Sequence, residues 1–267
     1  MEYIDKAKNR SCAHDIIKKF LDNCLKDAGE YPQDLYGAFL RDSDSSHSLK
    51  RLIVEDSNQR CCYCMRSLRG VSLEHVIPQS IKTRIEYDKY FEIESNLDKN
   101  NIMLTTDFLA KPEAVPPFPH VLAYENLIPS CLGSLPKPGK CCNIYRHDVF
   151  VQPIVFRENI HEEIIYKSTG TVIWQSNSDE DVPTVERLGL NCAELKAIRR
   201  IWYYLDVNHL GCEEENKNRA ITDISYELMK TGDRRMFEMV SNFRKHEYWA
   251  LLADYPYFSN LDVFENC

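Results

Sequence analysis

The chain has 267 residues, with 33 Lys/Arg against 41 Asp/Glu, a formal net charge of −8 and 43% apolar content. That composition fits a globular chain with room for a sizeable core. The acidic balance argues against a protein that grips nucleic acid by bulk charge alone. No apolar run approaches the ~20 residues needed to cross a bilayer. The first residues, Met1-Glu2-Tyr3-Ile4-Asp5-Lys6, lack the apolar stretch of a signal peptide. A cytoplasmic protein without a membrane segment is the expectation. The charge is uneven: residues 60–150 hold 11 Lys/Arg and 10 Asp/Glu, a balance of +1, which leaves −9 for the rest.

In chain order, Ala13, Ile16, Ile17, Phe20, Leu21 and Cys24 recur at helical spacing and predict a helix over 12–28, stopped at Gly29. Leu49, Leu52 and Ile53 predict a second helix ending near Gln59. Residues 60–150 lack long periodic patterns and are rich in proline, so this region reads as loops that a bound metal would staple. Within it, 81–123 reads as an insertion with one or two short helices. Its end, Val115-Pro116-Pro117-Phe118-Pro119, cannot lie inside a helix. Ile164-Ile165-Tyr166 and Thr171-Val172-Ile173-Trp174 flank Lys167-Ser168-Thr169-Gly170 as a β-hairpin. The polar stretch Ser176–Asp181 reads as a linker. Asn191 with Glu194 three residues on resembles a capping box, and Leu195, Ile198, Trp202 and Leu205 follow on one face. Two more helices are predicted near 216–231 and 233–252. The expected fold class is α+β and mostly helical, in three parts: an N-terminal helical segment (1–59), a core with its insertion (60–150), and a hairpin plus helical region (151–267).

Eleven cysteines are many for an intracellular chain, where disulfides rarely persist. Cys12, Cys24, Cys192, Cys212 and Cys267 are scattered and read as buried small apolar residues. The other six cluster as Cys61, Cys62 and Cys64, then Cys131, Cys141 and Cys142, which points to metal rather than bridges. Cys61 and Cys64 have the Cys-x-x-Cys spacing that lets two thiolates from one knuckle reach a tetrahedral zinc. Cys131 and Cys142 are the expected second pair, with Cys141 as the alternative to Cys142.

Between these clusters stands Leu73-Glu74-His75-Val76-Ile77-Pro78. In a straight strand Glu74 and His75 would face opposite sides, so sharing one site needs a bend. A carboxylate there can hold a divalent cation while the imidazole takes a proton from water. Asn143 and His147 stand at i and i+4, which on a helix places both on one face as metal ligands should be.

The order Cys61-Cys62-Tyr63-Cys64, Leu73-Glu74-His75-Val76-Ile77-Pro78, Asn126-Leu127-Ile128-Pro129-Ser130-Cys131 and Cys142-Asn143 resembles the zinc-stapled HNH endonucleases. Their core is a β-hairpin and one helix around a single metal (ββα-metal). The Glu-His-x-x-Pro form resembles the PtuB-type HNH proteins of Septu and certain retron anti-phage systems. So does Leu188-Gly189-Leu190-Asn191-x-x-x-Leu195-x-x-x-Arg199. The resemblance implies His75 as general base and Glu74, Asn143 and His147 as ligands of a divalent cation such as Mg²⁺. It also implies that Asn126 orders the loop positioning His75. Asn96 and Asn101 are rivals for that role, and Asn126 is preferred because it lies close before Cys131. The implied partners are nucleic acid, DNA before RNA, and an ABC/SMC-like ATPase of the PtuA type. The alternatives are a ribonuclease acting, for instance, on tRNA, and a non-catalytic zinc module that binds protein. The spacer 132–140 is longer than the family's usual Cys-x-x-Cys. Lys137, Lys140 and Arg146 read either as phosphate contacts or as solvated surface charge.

Overall fold

Ala13, Ile17, Phe20 and Leu21 form the buried face of α1 (Arg10–Ala28). Gly29 ends this helix in the left-handed region, its N–H returning to the Leu25 carbonyl. The computed structural model describes residues 1–93, 97–110, 115–136, 139–147, 149, 151–152, 154–175, 184–259 and 264. The predicted linker at 176–181 lies outside the described residues. A short helix without a clear periodic signal, α2 (Leu35–Arg41), is capped by Asp34, whose carboxylate accepts from Gly37 N–H. Asp42 caps α3 (Ser43–Asp56) in the same way, and Leu49, Leu52 and Ile53 face inward. This helix stops before the expected Gln59 because Asn58 and Gln59 take φ of 51° and 61°, outside the right-handed helical region.

The cysteine knuckle leads into β1 (Ser72–His75), then α4 (Arg84–Ile93), β2 (Ile102–Met103), α5 (Thr105–Ala110), β3 (Phe118–Pro119) and β4 (Leu127–Ser130). The proline-rich end of the insertion forms β3, which pairs parallel with β2. β4 pairs antiparallel with β1, in a register running from Ser72 opposite Ser130 to His75 opposite Leu127. The short helix α6 (Cys142–Arg146) follows this ribbon.

Beyond it come α7 (Ile160–Glu163) and the hairpin β5 (Ile164–Tyr166) and β6 (Val172–Trp174), antiparallel as the sequence predicts. Gly170 turns the hairpin with φ +80°, and a Cβ there would stand 1.9 Å from the Lys196 carbonyl oxygen. Only glycine fits this approach. The remaining helices are α8 (Thr184–Arg187), α9 (Ala193–Val207), α10 (Glu214–Thr231), α11 (Arg234–Asn242) and α12 (His246–Ala253). The fold is α+β and mostly helical, as expected. No helix among the described residues is long and apolar enough to cross a membrane.

Three sequence expectations are corrected. The single helix expected over 233–252 is two. Phe243 N–H bonds Val240 O and Lys245 N–H bonds Asn242 O, tight i−3 bonds that close α11, and α12 starts afresh after Lys245. Asn191 does not cap α9, whose first residue is Ala193. Its Oδ1 instead accepts from Val172 N–H (2.8 Å) and its Nδ2 donates to Val172 O (2.9 Å), clipping β6 to the start of the helical region. Cys12 and Cys212 are exposed, and Cys24 and Cys192 only partly covered, so these four are not buried cysteines. Cys267 lies outside the described residues.

The outer segments clasp residues 60–150 through buried polar contacts. Lys6 Nζ donates to Leu127 O (2.7 Å) on β4 and pairs with Asp56 (3.1 Å). Arg66 pairs with Asp254 (2.7 Å), and Ile4 N–H donates to Val155 O (2.8 Å), which joins the two outer segments to each other.

The clip at Asn191 needs both a donor and an acceptor. Asn191→Asp therefore costs about 1–3 kcal/mol of stability, close to Asn191→Ala, in urea unfolding. A helix cap would accept Asp without loss, so a wild-type midpoint in Asn191→Asp would contradict the clip.

Candidate metal centre and catalytic cleft

The knuckle at Cys61–Cys64 is set by its own backbone. Met65 N–H bonds Cys61 O (3.1 Å), Cys61 N–H bonds Arg66 O (2.8 Å), and Met65 takes φ 67°. Cys62 N–H donates to Pro129 O (3.0 Å), docking the knuckle onto β4. Cys131 follows β4 directly, and Cys142 opens α6. The result is a buried cluster of Cys61, Cys64, Cys131 and Cys142 whose sulfurs all lie within 4.8 Å of one another. The Cys61–Cys142 and Cys64–Cys131 sulfur separations are both 3.7 Å. That is far beyond a bonded ~2.05 Å disulfide, and it matches the ~3.8 Å edge of a tetrahedron with Zn–S bonds of about 2.3 Å. Gly133 N–H (3.4 Å to Cys131 Sγ) and the Tyr255 hydroxyl (3.6 Å to Cys64 Sγ) donate to the sulfurs. Such donors suit metal-bound thiolates. Burial pushes the Cys64 and Cys142 thiols well up, and a bound cation would reverse that. The donor set fits a structural metal such as zinc. Cys142 is the fourth member, and Cys141, also buried, lies beside the cluster at 4.0 Å from Gly133 O.

A separate small cleft of about 130 Å³ is lined by Glu74, His75, Gln79, Asn143, Arg146 and His147, with Leu73 and Pro78. Glu74 and His75 share it because β1 ends at His75 and the chain bends over the next residues. Asn126, fully buried, holds that bend. Its Oδ1 accepts from Ile77 N–H (2.7 Å), and its Nδ2 donates to Ile77 O (2.9 Å) and His120 O (2.8 Å). The rival Asn96 lies outside the described residues, and Asn101 instead donates to Asp98 (2.7 Å).

His75 is buried edge-on to Tyr36, with ring centroids 4.7 Å apart. Its Nε2 lies 3.0 Å from Val121 O and its Nδ1 3.2 Å from Gln79 Nε2. A carbonyl only accepts, so Nε2 carries the proton and Nδ1 keeps the lone pair. Burial lowers the His75 pKa to about 4, against a smaller upward pull from its bond to Val121 O. Asn143 donates to Ser72 Oγ (3.3 Å). His147 is not the last residue of a helical face, as i, i+4 spacing suggests. α6 ends at Arg146, and His147 is exposed beyond it with φ 50°. It still borders the cleft.

Arg146 corrects the sequence reading most. It is neither a solvated charge nor a phosphate contact, being 1% exposed. Its Nη1 donates to the Glu74 carboxylate in a buried ion pair. The signal was in the spacing: Arg146 is i+4 from Cys142, so a helix that turns Cys142 inward turns Arg146 inward too. Lys140 is exposed, and Lys137 lies outside the described residues. His120, unremarked in the sequence, is fully buried, its Nδ1 accepting from Thr105 N–H (3.0 Å). Burial lowers its pKa to about 3.

Two outcomes follow. Metal analysis should find one zinc per chain, lost with much of the thermal stability in Cys61→Ser and Cys142→Ser but kept in Cys141→Ser; zinc loss in Cys141→Ser would change the ligand set. The folded-state pKa values of His75 and His120 lie below the ordinary 6.5, so the fold favours their neutral forms. Their stability contribution is complete above pH 6.5 and declines as pH falls towards 4 and 3. His120→Asn, which keeps an acceptor for Thr105, should therefore show a shallower acid limb in urea midpoints taken from pH 7 to 4.5. An acid limb as steep as wild type would clear His120 of this role. The chain matches no family model, no curated protein and no solved structure.

Proposed function

We propose that this protein is a metal-dependent, HNH-type endonuclease that hydrolyses phosphodiester bonds in nucleic acid, DNA rather than RNA. One observation carries the reading: Glu74, His75, Asn143 and His147 border one cleft, framed by an antiparallel ribbon and a short helix, apart from the four thiols. The zinc site is then structural, with no open coordination position.

His75 is the general base. With Nε2–H held by the Val121 carbonyl, Nδ1 is its one basic atom, and the Gln79 carboxamide occupies the place an attacking water would take. Burial lowers the ring's pKa to about 4, which keeps it neutral at pH 7 and makes it a weaker base than an exposed imidazole. Asn143, His147 and Glu74 offer an oxygen and nitrogen donor set suited to a hard cation, Glu74 sharing its carboxylate with Arg146. When bound there, Mg²⁺ would supply charge neutralisation at the phosphate and the leaving oxygen. In this reading a strand crosses the mouth of the cleft of about 130 Å³ and presents a phosphate oxygen to these residues. The acidic balance outside residues 60–150 supports a partner that supplies grip on nucleic acid. An ABC/SMC-like ATPase of an anti-phage system is that partner in this reading.

A second reading, a zinc-held module that binds protein without catalysis, is favoured by Glu74 already being paired with Arg146 and His75 being bonded at both nitrogens. Cleavage separates the two. With Mg²⁺ and the ATPase present, the chain should nick plasmid DNA, and His75→Ala should lose ~10²-fold or more while it stays folded with its zinc content unchanged. Equal activity in His75→Ala would sink the base assignment, preference for tRNA would shift the substrate, and no cleavage at all would favour the module.

A further inference from the structure

Arg146 bonds groups on several sides of the cleft. Its side chain has no solvent exposure. Nε donates to Val149 O (3.0 Å) and Nη2 to Val76 O (3.1 Å). Nη1 faces the Glu74 carboxylate, His75 O (3.2 Å) and the Tyr63 hydroxyl (3.4 Å). Tyr63 sits within the cysteine knuckle, and burial keeps its phenol protonated. One guanidinium thus ties together the zinc knuckle, the carboxylate of Glu74 and the peptides on either side of the bend after His75.

We infer that Arg146 is a positioning residue of the cleft: its planar fork orients the Glu74 carboxylate towards the cation and fixes the backbone that aims the His75 ring at Val121. The catalytic consequence rests on the nuclease reading, but the placement does not. A guanidinium presents donors in two directions at once, whereas an ammonium is a point charge on a flexible stem. Arg146→Lys keeps the charge that Glu74 needs in the buried site and loses the reach to Val76 O and Val149 O. A role in charge neutralisation alone would survive that change, and a positioning role would not.

The test compares wild type and Arg146→Lys as full chains with zinc bound. Three readouts are taken: zinc content and melting temperature, Mn²⁺ affinity by electron paramagnetic resonance, and the ¹⁵N shifts of the His75 ring at pH 7.5. The expected result is one zinc per chain in both, Mn²⁺ affinity reduced 10–100-fold, and a His75 ring that leaves the single Nε2–H tautomer for a mixture. In the cleavage assay kcat falls with KM little changed. Wild-type Mn²⁺ affinity together with a wild-type tautomer in Arg146→Lys would overturn the inference. If wild type binds no Mn²⁺ and cleaves nothing, the nuclease reading fails separately, and the tautomer alone decides the role of Arg146. Should Arg146→Lys not fold, Arg146→Gln, which keeps a planar donor pair, carries the same readouts. Loss of fold in both would make Arg146 a core residue and nothing more.

Discussion

Four buried thiols drawn to within 4.8 Å of one another are the constraint on which the middle of this chain depends. Residues 60–150 hold strands of two to four residues and helices of five to ten. Elements so short do not hold themselves together. The cysteines stand where these elements begin and end: Cys61 and Cys64 in the knuckle on β4, Cys131 just past β4, Cys142 at the start of α6. A metal at that point would set the ribbon, the knuckle and the helix against one another, and the cleft lies between β1, the bend after it and the same helix. Coordination bonds there would take the place of the larger core that a longer sheet would bring.

Around that anchor Glu74, His75, Asn126 and Arg146 are buried but partnered. Desolvation explains why the arrangement is so specific. An isolated carboxylate at the position of Glu74 would be costly, and the Arg146 guanidinium offsets that cost only in one geometry. Asn126 likewise spends its carboxamide on backbone groups that no sheet satisfies, at the bend where β1 stops. The same desolvation keeps His75 neutral and leaves it one basic nitrogen. The electrostatics that stabilise the bend are thus the electrostatics that prepare the cleft.

The N- and C-terminal parts contribute by clasping. Lys6 reaches through to β4, Arg66 reaches out to Asp254, and Asn191 clips the hairpin to the helical region. Each link is a buried or half-buried polar contact between segments far apart in sequence. The chain's outer helices, amphipathic in sequence, turn their apolar faces into the same core as residues 60–150.

Periodicity and punctuation made α1, the β5–β6 hairpin and α10 legible from the residues alone, because local spacing decides which face is apolar and glycine decides where a helix stops. Cysteine spacing made half of the four-thiol cluster legible for the same reason: a Cys-x-x-Cys knuckle is a local geometry. Short-range rules misplaced Asn191, which resembles a helix cap and serves a strand 19 residues away. They also misread Arg146, whose charge suggests solvent while its position on α6 points it inward. The choice of Cys142 as fourth thiol, the meeting of Glu74 with Asn143 and His147, and the tautomer of His75 were decided only by the tertiary structure. Each depends on which distant group arrives at a desolvated site, and a linear pattern of residue types carries no record of that encounter.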